Sequence, residues 1–448
     1  MRFTSRRFAC LSSSIHHGDE TVITGISYDS RTVSKGFLYI AIKGSRVDGN
    51  DFIPQAVASG ASAVLVDRDH EAVACRRCLP CGVAVIAADD PAGALSRFSS
   101  IQILSNRKFT GIAVTGSCGK TTTKEMIASI LSTRFRVART PGNLNSTLGL
   151  PLAVLTMDDE ADFGVFEMGV DHYGEMDAMT RIIQPELAVL TNIGISHLEN
   201  FGTREGIARE KGRIFLPQTQ GFILDDNDMK DILYSMSPGI RTVSCPFEDV
   251  EMLGLDGIAM NLGSRRFVMP TVGMHNVKDA SLAVALARHV GMRDDEIIDG
   301  LSSLKPLFGR SRVVHQGSLT VIEDCYNATL DSVDDAIRTV SGLEWKADKL
   351  IVLGDMRELG SASRDAHRQV GRSLCTARCD HILLYGDEME EAYRVLYDSG
   401  RRDVVYTRRF DVLSSSLRKK ASSGDLVLLK GSRAMAMERL FETLKEVG

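Results

Sequence analysis

The stretch "VTGSCGKTTTK", residues 114–124, contains a Gly-Lys-Thr step, a combination suited to phosphate. Gly116 and Gly119 let the backbone approach a ligand closely. Lys120 supplies a charge for the β- and γ-phosphates, and Thr121 offers a hydroxyl to Mg2+. Ser117, Cys118 (as a small residue) and Thr122 complete the candidate nucleotide-binding loop. The common pattern G-x-x-x-x-G-K-[ST] places a glycine five positions before Gly119, where this chain has Val114, so the loop is shorter than the pattern prescribes. Such a loop alone leaves kinase, GTPase and ligase chemistry open. No Asn-Lys-x-Asp occurs in the chain, which counts against a guanine-specific switch.

Two more polar residues close apolar runs: Glu167 in "FGVFEMG" and His197 in "LTNIGISHLENFG". Mg2+ is a hard cation that accepts carboxylate and hydroxyl oxygen readily and imidazole less often, which makes both candidate ligands. A plain salt bridge for Glu167 and a helix cap for His197 are the competing structural readings.

The elements must hold these groups in place. "GIAVT" reads as a strand and "KTTTKEMIASIL" as an amphipathic helix, so the turn between them aims backbone N–H groups and the helix dipole at phosphate. "FGVFEMG", "ELAVLTNIG", "GFILDDND", "KLIVLGDM", "HILLYGD" and "DLVLLKGS" read as further buried strands with polar carboxyl ends. That alternation predicts an α/β protein with parallel sheets and ligands beyond the strand ends. A chain of 448 residues has room for about three domains. Breaks near Asn106–Phe109 and Leu307–Arg310 predict an N-terminal mixed α/β unit (1–107), a central P-loop ATPase-type parallel sheet (108–308) and a C-terminal Rossmann-like domain (309–448).

Composition removes other classes. The net charge of −5 provides no basic field for nucleic acid. Nine cysteines, an odd number, fit a reducing cytosol better than a disulfide framework. The start is basic but lacks the apolar run of a signal peptide, and no run of about 18 apolar residues exists to span a membrane. A cytoplasmic protein is expected. "CRRCLPC" brings three thiols without a fourth ligand, short of a closed zinc site. His16, His17 and the Asp225–Asp228 run read as solvated loops.

Eight motifs in order, "TGSCGKTTTKE", "PGNLNSTLGLPL", "FEMGVDHYGE", "TNIGISHLENFGTREGIAREKGRIF", "GMHNVKDA", "DCYNATLDS", "LGDMRELG" and "LLKGSRAMAMERL", together resemble the Mur ligases. The N-terminal stretch from "YDSRTV" to "SAVLVD" matches the same family, so the resemblance covers nearly the whole chain. "DCYNA" paired with "LGDMRELG", without a DNPR-type motif, favours the branch that adds D-alanyl-D-alanine. The resemblance implies ATP-dependent amide synthesis on UDP-N-acetylmuramoyl-tripeptide through an acyl phosphate, with Lys120, His197 and Lys211 as catalytic residues. Lys211 of "AREKGRIF" matches a lysine that CO2 carbamylates in related ligases, where it holds a second Mg2+. Thr121, Glu167, His197 and Lys211 are then the metal ligands. Asn276, Arg310, Asp324 and Asn327 are implied for ATP; a helix N-cap is the plainer reading of Asn276.

By the same resemblance Ser30 and Arg31 lie near the sugar-nucleotide diphosphate, although an Asp-Ser-Arg turn also caps helices. Asn143 and Asn145 contact the substrate, and Asp355, Glu358, Lys430, Ser432 and Arg433 are candidates for the dipeptide, some of them serving packing instead. One position departs: Asp279 stands where the family usually has asparagine. An amide donates and accepts, a carboxylate only accepts, so the adenine contact there is in doubt. The alternatives are another Mur-type or folylpolyglutamate-type ligase, or a nucleotide-binding homologue that has lost catalysis. The expected partners are the two substrates, with no nucleic acid or membrane, and a monomer is expected.

Overall fold

The structure, a computed structural model, describes residues 2–44, 47–157 and 160–445; Ser45 and Arg46 of the N-terminal matching stretch lie outside them. By contacts the chain forms two compact units. The first comprises Met1–Ala113, Phe135–Val170 and Gly174–Leu187, and the second Val114–Arg134, Asp171–Tyr173 and Ala188–Gly448.

In the first unit a five-stranded sheet runs in the order Ile15–His17, Ala84–Ala88, Ala63–Asp67, Phe37–Ile40, Gly25–Ser27. Its first pair is antiparallel and the rest parallel, the mixed sheet predicted from sequence. "AVIAA" is buried at every position because both faces are covered. Phe8, Leu38, Leu65, Ile86 and Phe98 pack on one side, and Tyr39, Val64, Val66, Ala74 and Cys78 on the other.

A second sheet has six strands in the order Ile240–Val243, Gln220–Leu224, Leu187–Leu190, Thr110–Thr115, Phe163–Glu167, Val137–Arg139, and its outermost pairs are parallel. Helix Lys120–Leu131 begins where the sequence places it, directly after Gly119, and packs against helices His275–His289 and Asp294–Ser302. A three-stranded antiparallel meander, Phe247–Met252, Ile258–Leu262 and Arg265–Met269, was not anticipated.

The C-terminal sheet is Rossmann-like. Strands Leu319–Asp324, Leu426–Lys430, Lys349–Gly354, His381–Tyr385 and Val404–Thr407 are parallel in that spatial order, and Arg312–Gln316 adds an antiparallel edge. Leucine-, isoleucine- and valine-rich cores cover both faces, so "LVLLK" is buried throughout. The chain therefore has the predicted fold class: α/β with an N-terminal mixed unit, a central nucleotide-type sheet and a Rossmann-like C-terminal domain. Among the described residues no helix is long and apolar enough to cross a membrane.

Candidate active site

The phosphate loop depends on glycine at two positions. Gly116 has φ +149°, and a Cβ there would lie 1.9 Å from the Thr191 hydroxyl; Gly119 has φ +78°, and its Cβ would meet the Asp279 carboxylate at 2.4 Å. The turn is tied down from the neighbouring strand end, where Asn192 Oδ1 accepts from Cys118 N–H (3.0 Å) and the Thr191 hydroxyl donates to Cys118 O. Lys120 Nζ donates to the carbonyls of Gly116 (2.8 Å) and Ser117 (3.2 Å), so its charge is held inside the loop. Ser117 Oγ accepts from Gly194 N–H, and Cys118 Sγ lies 2.9 Å from the hydroxyl of Thr329, the N-cap of helix Leu330–Gly342.

These loop residues open on a cavity of about 270 Å3 that is also lined by Asn276, Arg310, Asp324, Asn327 and Lys430. Arg310 donates to Thr121 Oγ1 (3.3 Å) and stacks over the Tyr326 ring at 4.3 Å. Asp324 and Lys430 are register partners on adjacent strands, and their side chains pair at 2.6 Å with Lys430 2% exposed. Lys430 also donates to Asn327 O. Asn276 is not an N-cap: its helix starts at His275 with Met274 as the cap residue, and its buried amide donates to Val272 O. The Arg310 guanidinium, a buried ion pair and two amides thus share one cavity with the loop, an arrangement that can hold and neutralise a polyphosphate.

His197 is the N-cap residue of the short helix Leu198–Phe201, with φ +59°, yet its side chain makes no capping bond. Its ring lies between two carboxylates, Glu358 Oε2 2.7 Å from Nδ1 and Asp171 Oδ1 3.3 Å from Nε2. Glu358 itself has φ +66°, and contact with His197 holds its carboxyl below the usual range. Lys211, in the last turn of helix Arg204–Gly212, is fully buried; burial first, then the charge of Lys120, brings its amine down to about 7. Among the described residues no three carboxylate, imidazole or thiol groups form a metal cage.

The other candidates differ in exposure. Asp355 is wholly enclosed. Its Oδ1 accepts from Met389 N–H, and its backbone O accepts from Ser432 N–H while Ser432 Oγ accepts from Arg357 N–H, so Asp355 and Ser432 lock two strand-end loops together. Arg433 stays exposed, paired with Glu438. In the first unit, Asp29 caps the turn Ser30–Thr32 and pairs with the exposed Arg31, while Ser30 donates to Gln55. Asn143 is exposed; Asn145 Nδ2 donates to Oε1 of the buried Glu167 (2.7 Å), at the end of its strand.

The Asp225–Asp228 run is the exposed loop expected, apart from one buried residue, whereas His16 and His17 lie half-buried on a strand, bonded to Ser5 and Glu71, and are not a solvated loop. Asn227 is 7% exposed, and Asp226, Asn227 and Asp228 line a second cavity of about 250 Å3 shared with Gly119, Asp279 and Asp335. Sequence reasoning also passed over Asn192, Asp171 and Thr329. Asn192 lies just past a strand end, and the Thr-x-x-Ser spacing at 329–332 is a capping signal, so both had a legible cue.

Three family models cover most of the chain: Mur ligase family, catalytic domain (residues 22–107), Mur ligase middle domain (114–287) and Mur ligase, glutamate ligase domain (309–433). The UDP-N-acetylmuramoyl-tripeptide--D-alanyl-D-alanine ligase of Treponema pallidum (strain Nichols) is 37% identical, covering 94% of each chain. The crystal structure of MurF from Acinetobacter baumannii superposes with a TM-score of 0.86 at 29% identity, over 100% of this chain and 99% of that one. The MurF ligase from Thermotoga maritima in complex with ADP gives 0.76 at 26% identity, over 94% and 97%. The chain belongs to the Mur ligase family and stands within it among the MurF ligases.

Proposed function

We propose that this chain is the ATP-dependent ligase that joins D-alanyl-D-alanine to UDP-N-acetylmuramoyl-tripeptide, forming the pentapeptide precursor of peptidoglycan in the cytoplasm. The observation that carries this reading is the cavity in which the loop Gly116–Thr122 meets Arg310, Asp324, Asn327 and Lys430, taken with the relatives' shared activity. The tripeptide carboxylate attacks the γ-phosphorus, the bond to the β-phosphate oxygen breaks and ADP leaves. The dipeptide amine then attacks the acyl phosphate carbon, expels phosphate and loses a proton. Both steps need positioning and charge neutralisation more than a protein nucleophile. Lys120 and Arg310 supply fixed positive charge.

Thr121, Glu167, His197 and a carbamylated Lys211 would hold Mg2+, which offsets charge between carboxylate and triphosphate. The donor set fits. It offers hydroxyl, carboxylate and carbamate oxygen with one imidazole, donor types that suit a hard cation. Carbamylation requires a neutral amine to attack CO2, and the buried Lys211 is near that state at neutral pH. We further assign residues 1–107 to the sugar nucleotide through Ser30 and Arg31, with Asn143 and Asn145 contributing from 108–308. That central part carries ATP, and 309–448 carries the dipeptide, whose carboxylate the exposed Arg433 would meet; Glu358, Lys430 and the loop-locking pair Asp355 and Ser432 complete that end. Phosphate release that requires ATP, the sugar tripeptide and D-alanyl-D-alanine together tests the proposal. Release that ignores the dipeptide would reject it.

A further inference from the structure

Asp279 is 5% exposed, and no basic side chain forms an ion pair with it among the described residues. Its carboxyl group is packed against Gly119, close enough that a single methyl on that glycine would collide with both oxygens. Its Oδ2 has no hydrogen-bond partner. An ionised carboxylate in such a place carries a large desolvation cost that the Thr123 hydroxyl and the charge of Arg310 repay only in part. It would also set a negative charge against the loop that receives a polyphosphate.

We propose that Asp279 works as a neutral carboxylic acid that braces the phosphate loop at Gly119, and that loss of its proton weakens nucleotide binding at alkaline pH. This rests on the reading of Gly116–Thr122 as the nucleotide cradle. A protonated carboxyl has an O–H donor and a carbonyl acceptor, the two capacities of an amide, so the acid does the work of asparagine as long as the proton stays. The surroundings agree. Burial raises the group to about 8, and Asp335, on helix Leu330–Gly342, pushes the same way. Thr123, on the helix after the loop, and Arg310 oppose it. Asp226, Asp228 and Asp331 share its cavity, with Lys278 already paired to Asp226. Lys120 is turned back onto loop carbonyls.

The linkage has a definite sign. Between the unfolded carboxyl value near 4 and the folded value of about 8, the native state holds a proton that the unfolded state has released. Stability of the wild type therefore falls as pH rises through this window and levels above it. Asp279→Asn lacks that term. Thermal denaturation of the two nucleotide-free proteins from pH 5 to 9 should show the variant's advantage growing up to about pH 8 and then holding; Asp279→Ala should show the same pH trend from a lower baseline. An advantage that is constant with pH overturns the proposal.

Titration with Mg·ADP gives the second readout. Wild-type affinity, relative to Asp279→Asn, should weaken by about tenfold per pH unit above pH 8, the limit for a single required proton. A growing stability gap with a pH-independent affinity ratio overturns the nucleotide switch. If Lys120→Ala then binds Mg·ADP like wild type, the cradle reading itself has failed; if it does not, only the role of Asp279 has.

Discussion

Lys120 and Lys211 are both lysines, but their surroundings give them different chemistry. Lys120 is held by two loop carbonyls as a positioned cation. Lys120→Ala should lower turnover about 10³-fold, the scale of one lost electrostatic contact to transferring phosphate, with a normal far-UV spectrum. Turnover within a few-fold of wild type would remove the loop from the mechanism. Lys211 is enclosed, and its amine has been brought to about 7, chiefly by desolvation. The neutral, CO2-reactive fraction therefore grows as pH rises through about 7. Removing bicarbonate and CO2 should depress activity, and more deeply at pH 6 than at pH 8. Lys211→Ala should be inactive and partly rescued by short carboxylic acids, whose oxygens can stand where the carbamate would. Rescue by amines and not by acids would leave Lys211 as a simple cation.

At the level of elements, the loop works because its strand, turn and helix agree on one geometry, and Gly116 is where that agreement is tightest. Gly116→Ala forces a side chain into a left-handed conformation 1.9 Å from Thr191 Oγ1, whose hydroxyl also anchors Cys118 O. The expected loss is about 1–3 kcal/mol in urea denaturation, together with weaker Mg·ADP binding. Unchanged stability and affinity would mean the loop adapts. This element was legible in sequence because an apolar strand, two glycines and an amphipathic helix follow one another without a break. "LVLLK" and "AVIAA" were legible for a related reason: a strand covered on both faces has to be apolar along its whole length. The meander was not. Its strand Phe247–Met252 mixes buried, half-buried and exposed positions and contains a register shift, so it has neither a clean alternation nor an apolar run. The bracing of Gly119 by Asp279 was also hidden, because 160 residues separate two groups that only the packing of helices Lys120–Leu131 and His275–His289 brings together.

For the whole molecule, the shared fold does not choose the substrate. Structures of a pseudomurein peptide ligase and a folylpolyglutamate synthase also superpose on this chain, at 17% identity, and share its architecture alone. The chemistry that separates the readings lies in what the acyl phosphate is offered. With ATP and UDP-N-acetylmuramoyl-tripeptide but no dipeptide, the activated carboxyl has no amine to meet, so ADP formation should stop near one equivalent per enzyme. D-Alanyl-D-alanine should then release steady turnover, with phosphate, ADP and pentapeptide in equal amounts. Glutamate, the amine used by a folylpolyglutamate-type ligase, should leave the reaction at the first equivalent, because its single residue carries a second carboxylate and lacks the dipeptide's length. Mass spectrometry of the product settles which bond formed. Steady turnover with glutamate on a folate acceptor, and none with the dipeptide, would reassign the substrate while leaving the phosphate loop, Lys120 and the acyl phosphate step in place.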